Sequence, residues 1–123
     1  MAVRAKDKRG RRGRSFESKS WLFMRMSGVA LVVLALLHFA ITHITNDVAD
    51  TGYAFVVKRW DNPLWRAFDW LLLALALLHG LNGVRWIIDD YVRSPTARTV
   101  VFGAIVGVSG LLFAAGTLTI LTF

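Results

Sequence analysis

The sequence contains no cysteine at any of its 123 positions. This absence excludes disulfides, thiolate zinc sites, iron–sulfur ligation and cysteine nucleophiles within this chain. Acidic residues are also scarce, because 8 Asp and Glu stand against 15 Lys and Arg, which gives a net charge of +7. Apolar residues nevertheless make up 55% of the chain, which is unusual for a soluble basic domain and excludes a disordered basic tail. The composition therefore predicts a small, single-domain integral membrane protein.

Familiar catalytic and nucleotide-binding motifs are missing as well. The sequence has no internal repeat, no Gly-rich phosphate loop, no GxSxG and no HExxH. Its basic residues concentrate in positions 1–19, which hold eight of the 15: Arg4, Lys6, Lys8, Arg9, Arg11, Arg12, Arg14 and Lys19. We interpret 1–19 as a mobile cytoplasmic arm that sets topology and contacts anionic lipid or a partner, rather than nucleic acid.

Three long apolar stretches predict three membrane-spanning helices. Met26 to Asn46 and Thr99 to Phe123 contain no charged residue over 21 and 25 positions, and a spanning helix needs about 20. The middle stretch reaches this length if its helix begins at Pro63, a residue suited to a first helical turn. We therefore predict an all-α integral membrane fold with helices near 20–46, 63–91 and 96–122.

The distribution of positive charge predicts the orientation of these spans. The basic arm should stay in the cytoplasm, and the second loop, with Arg93 and Arg98, should face the same side. The first loop, about 47–62, and the C-terminus then face outward. The first apolar run is too long for a cleaved signal peptide and lacks a small-residue cleavage site after it. We predict a multi-pass protein of the cell inner (plasma) membrane with a cytoplasmic N-terminus.

All three histidines of the chain lie in predicted spans, where ionisable groups are costly and usually mark function. His79 is near the middle of the second span, next to Gly80 and one turn before Gly83, and these small residues would let a large flat group approach. A helical period places His79, Gly83, Trp86 and Asp90 on one stripe. An imidazole at this depth suits an axial ligand of haem iron; the structural alternative is an interhelical hydrogen bond.

Arg25 lies one turn inside the first span, at its cytoplasmic end. Its guanidinium can reach out to a lipid phosphate. It can equally pair with a haem propionate, because a guanidinium matches a carboxylate in two parallel hydrogen bonds. The residues alone leave both alternatives open.

Two motifs together resemble the SdhD-type membrane anchor of succinate dehydrogenase (respiratory complex II). They are Arg25-x-Ser27-Gly28 in the first span and, in the second, His79 followed 11 residues later by Asp90-Tyr91. The second motif is the more specific one. The resemblance implies half of a haem-binding bundle, completed by a second, SdhC-type membrane anchor subunit and docked on iron–sulfur and flavoprotein subunits. It implies electron transfer from the iron–sulfur subunit to a quinone, with no residue for succinate chemistry in this chain.

The resemblance also implies roles for individual residues. His79 would ligate haem b, and its second axial ligand would come from the other anchor subunit. Tyr91 would hydrogen-bond the quinone, and Asp90 would belong to the proton route. Arg25 would lie near the haem propionates and the quinone pocket, for which Ser27 is a weaker candidate.

His38 and His43 in the first span are additional to the single-haem pattern. Relatives with two b haems carry a histidine in this span, and the interval to His79 favours His38 over His43. The two cannot face one group, because five residues turn a helix by 500°, which leaves them 140° apart. Two haems would suit menaquinone; with one haem, both histidines would be structural.

Two other functions fit the same spans. The chain could be a non-redox scaffold or assembly subunit, or a subunit of another b-type cytochrome with a different soluble partner. The third span has small residues at Gly103, Gly107 and Gly110 and no ionisable group after Arg98, which predicts a packing helix. Higher oligomers of the complex and the direction of the reaction stay open.

Overall fold

The structure, a computed structural model, describes residues 2–123, with side-chain surroundings from residue 13 onward. Within this range every regular element is helical, which confirms the all-α prediction. Helix α1 runs from Ala2 to Phe39 and continues as a π-helical segment, Ala40–Ile44; a short 3-10 turn, Val48–Asp50, and helices α2 (Tyr53–Trp60), α3 (Pro63–Tyr91) and α4 (Pro95–Thr122) follow.

Three of these helical stretches are long and apolar enough to cross a membrane: 13–44, 63–91 and 95–122. The prediction of three spans is therefore confirmed. Residues 13–19, which were expected to belong to the basic arm, are already helical, because an apolar run locates the part of a helix in the membrane and not its polar extension. Residues 1–12 of that arm lie outside the residues whose side chains are described, and the mobility of the arm stays a prediction.

The two prolines of the chain begin α3 and α4. Each follows a residue whose side chain accepts a hydrogen bond from a backbone N–H of the first turn: Asn62 from Leu64 at 2.9 Å, and Ser94 from Ala97 at 3.4 Å. Proline suits this position because its missing N–H would have had no helical partner. The starts at Pro63 and Pro95 lie within one residue of the predicted ones.

The outer end of α1 loosens before it stops. The N–H of Thr45 donates to the carbonyl of Ala40, five residues back, at 2.9 Å. The hydroxyls of Thr42 and Thr45 donate to the carbonyls of His38 and Ile41 at 2.9 and 3.2 Å. Side chains that compete for helical carbonyls in this way bend or widen a helix, so regular α-helix ends at Phe39 and the wider segment at Ile44.

Helix α3 is the centre of the molecule and packs against both α1 and α4. Against α4 the approach is tight, because a Cβ at Gly116 would lie 2.5 Å from Leu73 Cδ2. Only four of the described residues are buried: Ser20, Ser27, Ile88 and Ile120. In lipid the apolar surfaces of helices gain little by meeting each other, so polar contacts and small residues decide how helices associate. Two of these four buried residues are serines of α1, and both face α3.

Candidate functional site

A polar seam runs along the antiparallel interface of α1 and α3. Three α1 residues pair with three α3 residues: Ser20 with Asn82, Ser27 with His79, and His38 with Asp69. The α1 members are 7 and 11 residues apart, which brings each within about 20° of the same helical face. The spacing of Ser20, Ser27 and His38 in an apolar helix was a signal for this seam that the sequence reasoning did not use.

His79 lies at the middle of the seam. Its Nδ1 is 2.8 Å from Ser27 Oγ, and Ser27 is only 3% exposed. The ring packs on the backbone of α1, since a Cβ at Gly28 would lie 3.5 Å from His79 Cε1. Among the described residues no hydrogen bond to His79 Nε2 is found. The imidazole is thus held through one nitrogen and leaves the other available.

The two glycines near His79 have different surroundings. A Cβ at Gly83 would meet Met24 Cε of α1 at 3.6 Å, whereas a Cβ at Gly80 would meet no described atom within 4 Å. Gly83 therefore serves the α1–α3 contact. Gly80 alone leaves open surface beside His79 for a group from outside the chain.

The donor set at His79 fits an axial ligand of haem b. A metal-bound histidine usually donates its second ring N–H to a nearby acceptor, which fixes its tautomer and orientation. Ser27 Oγ lies where it could accept that bond from Nδ1, which would leave Nε2 for the iron of a bound haem. The described residues contain no group of three or more His, Asp or Glu that could hold a metal ion by themselves, but an axial haem site needs only one such ligand from each side.

A charged cluster closes the seam near the C-terminal end of α3, around Arg85, a residue to which the sequence reasoning assigned no role. Its Nη2 donates to Ser20 Oγ at 3.2 Å and its Nε to Asn82 Oδ1 at 3.3 Å. Its Nη1 lies 3.4 Å from Glu17 and 3.8 Å from Asp89. Arg85 therefore faces α1 and lies near one carboxylate of each helix, Glu17 of α1 and Asp89 of α3, which balances its charge within a predicted span.

Asp90 and Tyr91 lie at the exposed C-terminal end of α3. Tyr91 is 82% exposed, and neither residue hydrogen-bonds another side chain in the described part of the chain. At 1.5 Å per residue, Tyr91 lies about 18 Å along the helix from His79. The structure brings Ser27 to His79 and not to the Asp90–Tyr91 end, where the resemblance had given it a weaker role.

Arg25 is exposed and lies beside the seam rather than in it. Its guanidinium carbon sits 4.4 Å from the centre of the Trp21 ring. Two residues turn a helix by about 200°, so Arg25 points away from the face that carries Ser27. The guanidinium is therefore presented to lipid or to another subunit.

The outer end of the seam is built around Asp69, whose side chain is 13% exposed. Its carboxylate accepts hydrogen bonds from Arg59 Nη2 at 2.9 Å and Trp60 Nε1 at 2.8 Å, both from α2. His38 Nδ1 lies 3.6 Å from the same carboxylate and is buried without a hydrogen bond among the described residues. A cavity of about 530 Å³ adjoins this cluster, lined in part by His38, Thr42 and Phe55.

His43 has only local contacts. Its Nδ1 is 2.7 Å from the hydroxyl of the adjacent Thr42, and its ring stacks on Phe39 with centroids 4.5 Å apart. The residue is exposed, whereas His38 faces Asp69 of α3. The seam therefore includes His38 and His79 and leaves out His43.

Comparisons with known proteins agree with this architecture. The sequence profile of the succinate dehydrogenase/fumarate reductase transmembrane subunit family matches residues 4–119. The chain is 36% identical over 74 residues to a succinate dehydrogenase hydrophobic membrane anchor subunit of Archaeoglobus fulgidus, covering 60% of this chain and 62% of that one. Proteins of the same name from Thermoplasma acidophilum and Rickettsia felis are each 26% identical, over 59% and 66% of this chain and 59% and 65% of theirs.

Each match spans about three fifths to two thirds of the relative's length. The family profile, in contrast, extends over all three spanning helices and over every residue of the polar seam. The chain therefore belongs to the succinate dehydrogenase/fumarate reductase transmembrane subunit family.

Proposed function

We propose that the chain is the hydrophobic membrane anchor of a succinate:quinone oxidoreductase and that its His79 is an axial ligand of haem b. The family membership and the names of the relatives support the anchor role. The observation that carries the ligand role is the 2.8 Å contact of Ser27 Oγ with His79 Nδ1, because it occupies Nδ1 and leaves Nε2 as the nitrogen that could bind iron. When bound, haem b would carry single electrons between the iron–sulfur subunit and quinone.

The chain supplies one side of this site, and a second membrane anchor subunit of SdhC type would supply the other axial ligand. Arg25 is the proposed partner of a haem propionate, by resemblance to the family. Its exposed guanidinium, turned away from Ser27, would reach a propionate only at the edge of α1 that faces the second subunit. An exposed guanidinium also suits a lipid phosphate. The partner of Arg25, propionate or phosphate, is then whichever group lies beside the Arg25–Trp21 pair.

The cytoplasmic end of α3 is the proposed quinone site. Tyr91 is exposed there, and its phenol can donate a hydrogen bond to a quinone carbonyl. Asp90, also exposed, can exchange protons with the cytoplasm. Both would face the iron–sulfur subunit, which with the flavoprotein subunit would complete the complex on the cytoplasmic side of the plasma membrane.

His38 is the proposed ligand of a second haem near the outer face. The support is its place on the seam with Nδ1 3.6 Å from the Asp69 carboxylate, since a nearby carboxylate can orient a histidine that offers Nε2 to a metal. His43 lacks a comparable partner and stacks on its own helix. Two haems would favour a low-potential quinone such as menaquinone; one haem would return His38 to a structural role.

The competing function is a non-redox scaffold or assembly subunit, in which Ser27–His79 would be a packing hydrogen bond. The presence of haem in the complex distinguishes the redox anchor from the non-redox scaffold. The test is a dithionite-reduced minus oxidised spectrum of the complete purified complex, with haem quantified per copy of this chain. We expect a b-type α-band and its loss or reduction by one haem per chain in His79→Ala.

His38→Ala and His43→Ala complete the experiment. We expect His43→Ala to keep the wild-type haem content, which makes it the matched control for replacing a histidine in a span. His38→Ala should remove a second haem where the wild-type complex carries two. Full haem content in an intact His79→Ala complex would contradict the ligand assignment. A haem-free wild-type complex would remove the axial-ligand role from His79 and leave the quinone-site and scaffold functions.

A further inference from the structure

Ser27 is the most buried polar residue described, and it sits in an otherwise apolar stretch of α1. It is 3% exposed, and its Oγ touches His79 Nδ1 at 2.8 Å. A hydroxyl removed from water is costly unless it is hydrogen-bonded. The direction of the Ser27 O–H therefore decides which ring nitrogen of His79 carries the hydrogen.

Two groups beside Ser27 Oγ can accept its hydrogen, the carbonyl oxygen of Met24 and Nδ1 of His79. The imidazole can instead carry a hydrogen on Nδ1 and donate it to Oγ. A serine hydroxyl donates one hydrogen bond and accepts up to two. The carbonyl oxygen of Met24 lies 3.4 Å from Oγ, in the position of an acceptor one turn back. When the O–H is directed at Met24, Oγ can only accept from His79, and the imidazole must carry its proton on Nδ1. When the O–H is directed at Nδ1, the imidazole proton is on Nε2 and no lone pair is left there for a metal.

We propose that Ser27 is a positioning residue that holds His79 as the Nδ1–H tautomer, with the Nε2 lone pair directed at haem iron. This inference rests on the proposed function, in which His79 is an axial ligand. An acceptor on the second ring nitrogen makes a histidine ligand more basic. A more basic ligand favours ferric over ferrous iron, so Ser27 holds the reduction potential of that haem down.

The chain offers a matched control in Ser20. It is also a buried serine of α1, and it also bonds α3, through Asn82 at 3.0 Å, but it does not touch His79. Ser20→Ala removes the hydrogen bonds of Ser20 with Asn82 and Arg85 at the same interface, and no contact of the imidazole. Ser27→Thr keeps the hydroxyl, and Ser27→Cys keeps the volume with a sulfur that accepts hydrogen bonds only weakly.

The experiment is a redox titration of the complete purified complex, following the haem band that His79→Ala removes, together with the haem content per chain. For Ser27→Ala we expect the preference for ferric over ferrous iron to fall roughly tenfold, which for one electron raises the midpoint potential by about 59 mV. We also expect haem to bind roughly 10- to 100-fold more weakly, the usual cost of removing such a partner. Ser27→Thr should stay near the wild-type potential, and Ser20→Ala should not move it.

Four outcomes would overturn the proposal. One is a wild-type potential and haem content in Ser27→Ala, while His79→Ala still removes the haem; the ligand assignment would then survive and the role of Ser27 would not. Another is an equal shift in Ser27→Ala and Ser20→Ala, which would indicate loosened packing. A haem retained in His79→Ala would overturn the ligand assignment as well. If Ser27→Ala does not assemble, Ser27→Cys must show the upward shift, and a wild-type potential there would count against the proposal.

Discussion

Asp69 is the residue whose replacement should change the outer end of the molecule most. It is the only carboxylate in the described contacts that joins three helical elements, since it binds Arg59 and Trp60 of α2, lies on α3, and faces His38 of α1. The side chain of Arg59 is itself only 10% exposed. Replacing Asp69 by Ala therefore leaves a nearly buried guanidinium without its counter-charge and an indole N–H without its acceptor.

The expected cost follows from that burial. Breaking a buried ion pair from one side costs about 3–5 kcal/mol, and an exposed pair is worth only about 0–1 kcal/mol. Arg59 lies on a short helix between two spans, where water can partly solvate it. We therefore expect Asp69→Ala to weaken the docking of α2 by about 2–3 kcal/mol, between the buried and the exposed values. A difference of 1.4 kcal/mol is tenfold in an equilibrium constant, so the undocked state of α2 should become roughly 30- to 100-fold more populated.

Thiol labelling of the complete complex measures this change, and the absence of cysteine from the chain makes single-cysteine probes in it unambiguous. Val56 lines the outer cavity and is half-buried, whereas Ala54 on the same helix is exposed. A membrane-impermeant maleimide added from outside should label Val56→Cys slowly and Ala54→Cys fast. Adding Asp69→Ala should accelerate the labelling of Val56→Cys by roughly 30- to 100-fold and leave the labelling of Ala54→Cys unchanged.

Asp89→Ala is the matched control, because it removes a carboxylate that is about half exposed and 3.8 Å from Arg85 at the other end of α3. It should not change labelling of Val56→Cys. Unchanged labelling in Asp69→Ala, in a complex that still assembles, would refute the assignment of Asp69 as the residue that docks α2. Labelling of Ala54→Cys from the cytoplasmic side alone would refute the predicted orientation.

Two more predictions concern α4 and the cytoplasmic end of α3. Gly116→Ala should destabilise the purified complex toward heat by about 1–3 kcal/mol through overpacking, because its new Cβ would meet Leu73 at 2.5 Å. Gly107→Ala is the control and should be nearly neutral, since a Cβ there would have no described atom within 4 Å. Equal effects of the two substitutions would contradict the close α3–α4 contact. Tyr91→Phe should slow quinone reduction severalfold or more while haem content stays unchanged, and an unaltered rate would remove Tyr91 from the quinone site.

The spans themselves could be predicted from local sequence. Apolar runs locate the membrane-embedded part of each helix, and the pairs Asn62-Pro63 and Ser94-Pro95 combine a capping side chain with a residue that favours the first turn. These signals act within a few residues, so no knowledge of packing is needed. They fail at residues 13–19, where the helix continues beyond the apolar run.

Helix α2 and the partners of the seam could not be predicted in the same way. The stretch 53–60 contains Lys58 and Arg59 and is only eight residues long, so neither hydropathy nor length marks it as a helix. It is stabilised by Asp69, a residue of another helix, through bonds that depend on tertiary structure. The contact of Ser27 with His79 likewise depends on the register between α1 and α3, which helix lengths leave undetermined.

The seam nevertheless explains why so many polar residues occur on two apolar helices. Each pair of the seam lies at a different level. Ser20 and Asn82 lie close to Arg85, and Ser27 with His79 follows about one turn along α3 and two turns along α1. His38 with Asp69 lies about 15 Å beyond His79 along α3. Hydrogen bonds between spanning helices contribute modestly to association, so three pairs are more than a packing contact needs. An arrangement that fixes the register of α1 on α3 also fixes two imidazoles on one line through the membrane. With the proposed function, the same register would set His79 about 18 Å along α3 from Tyr91, while α4 packs against α3 as well.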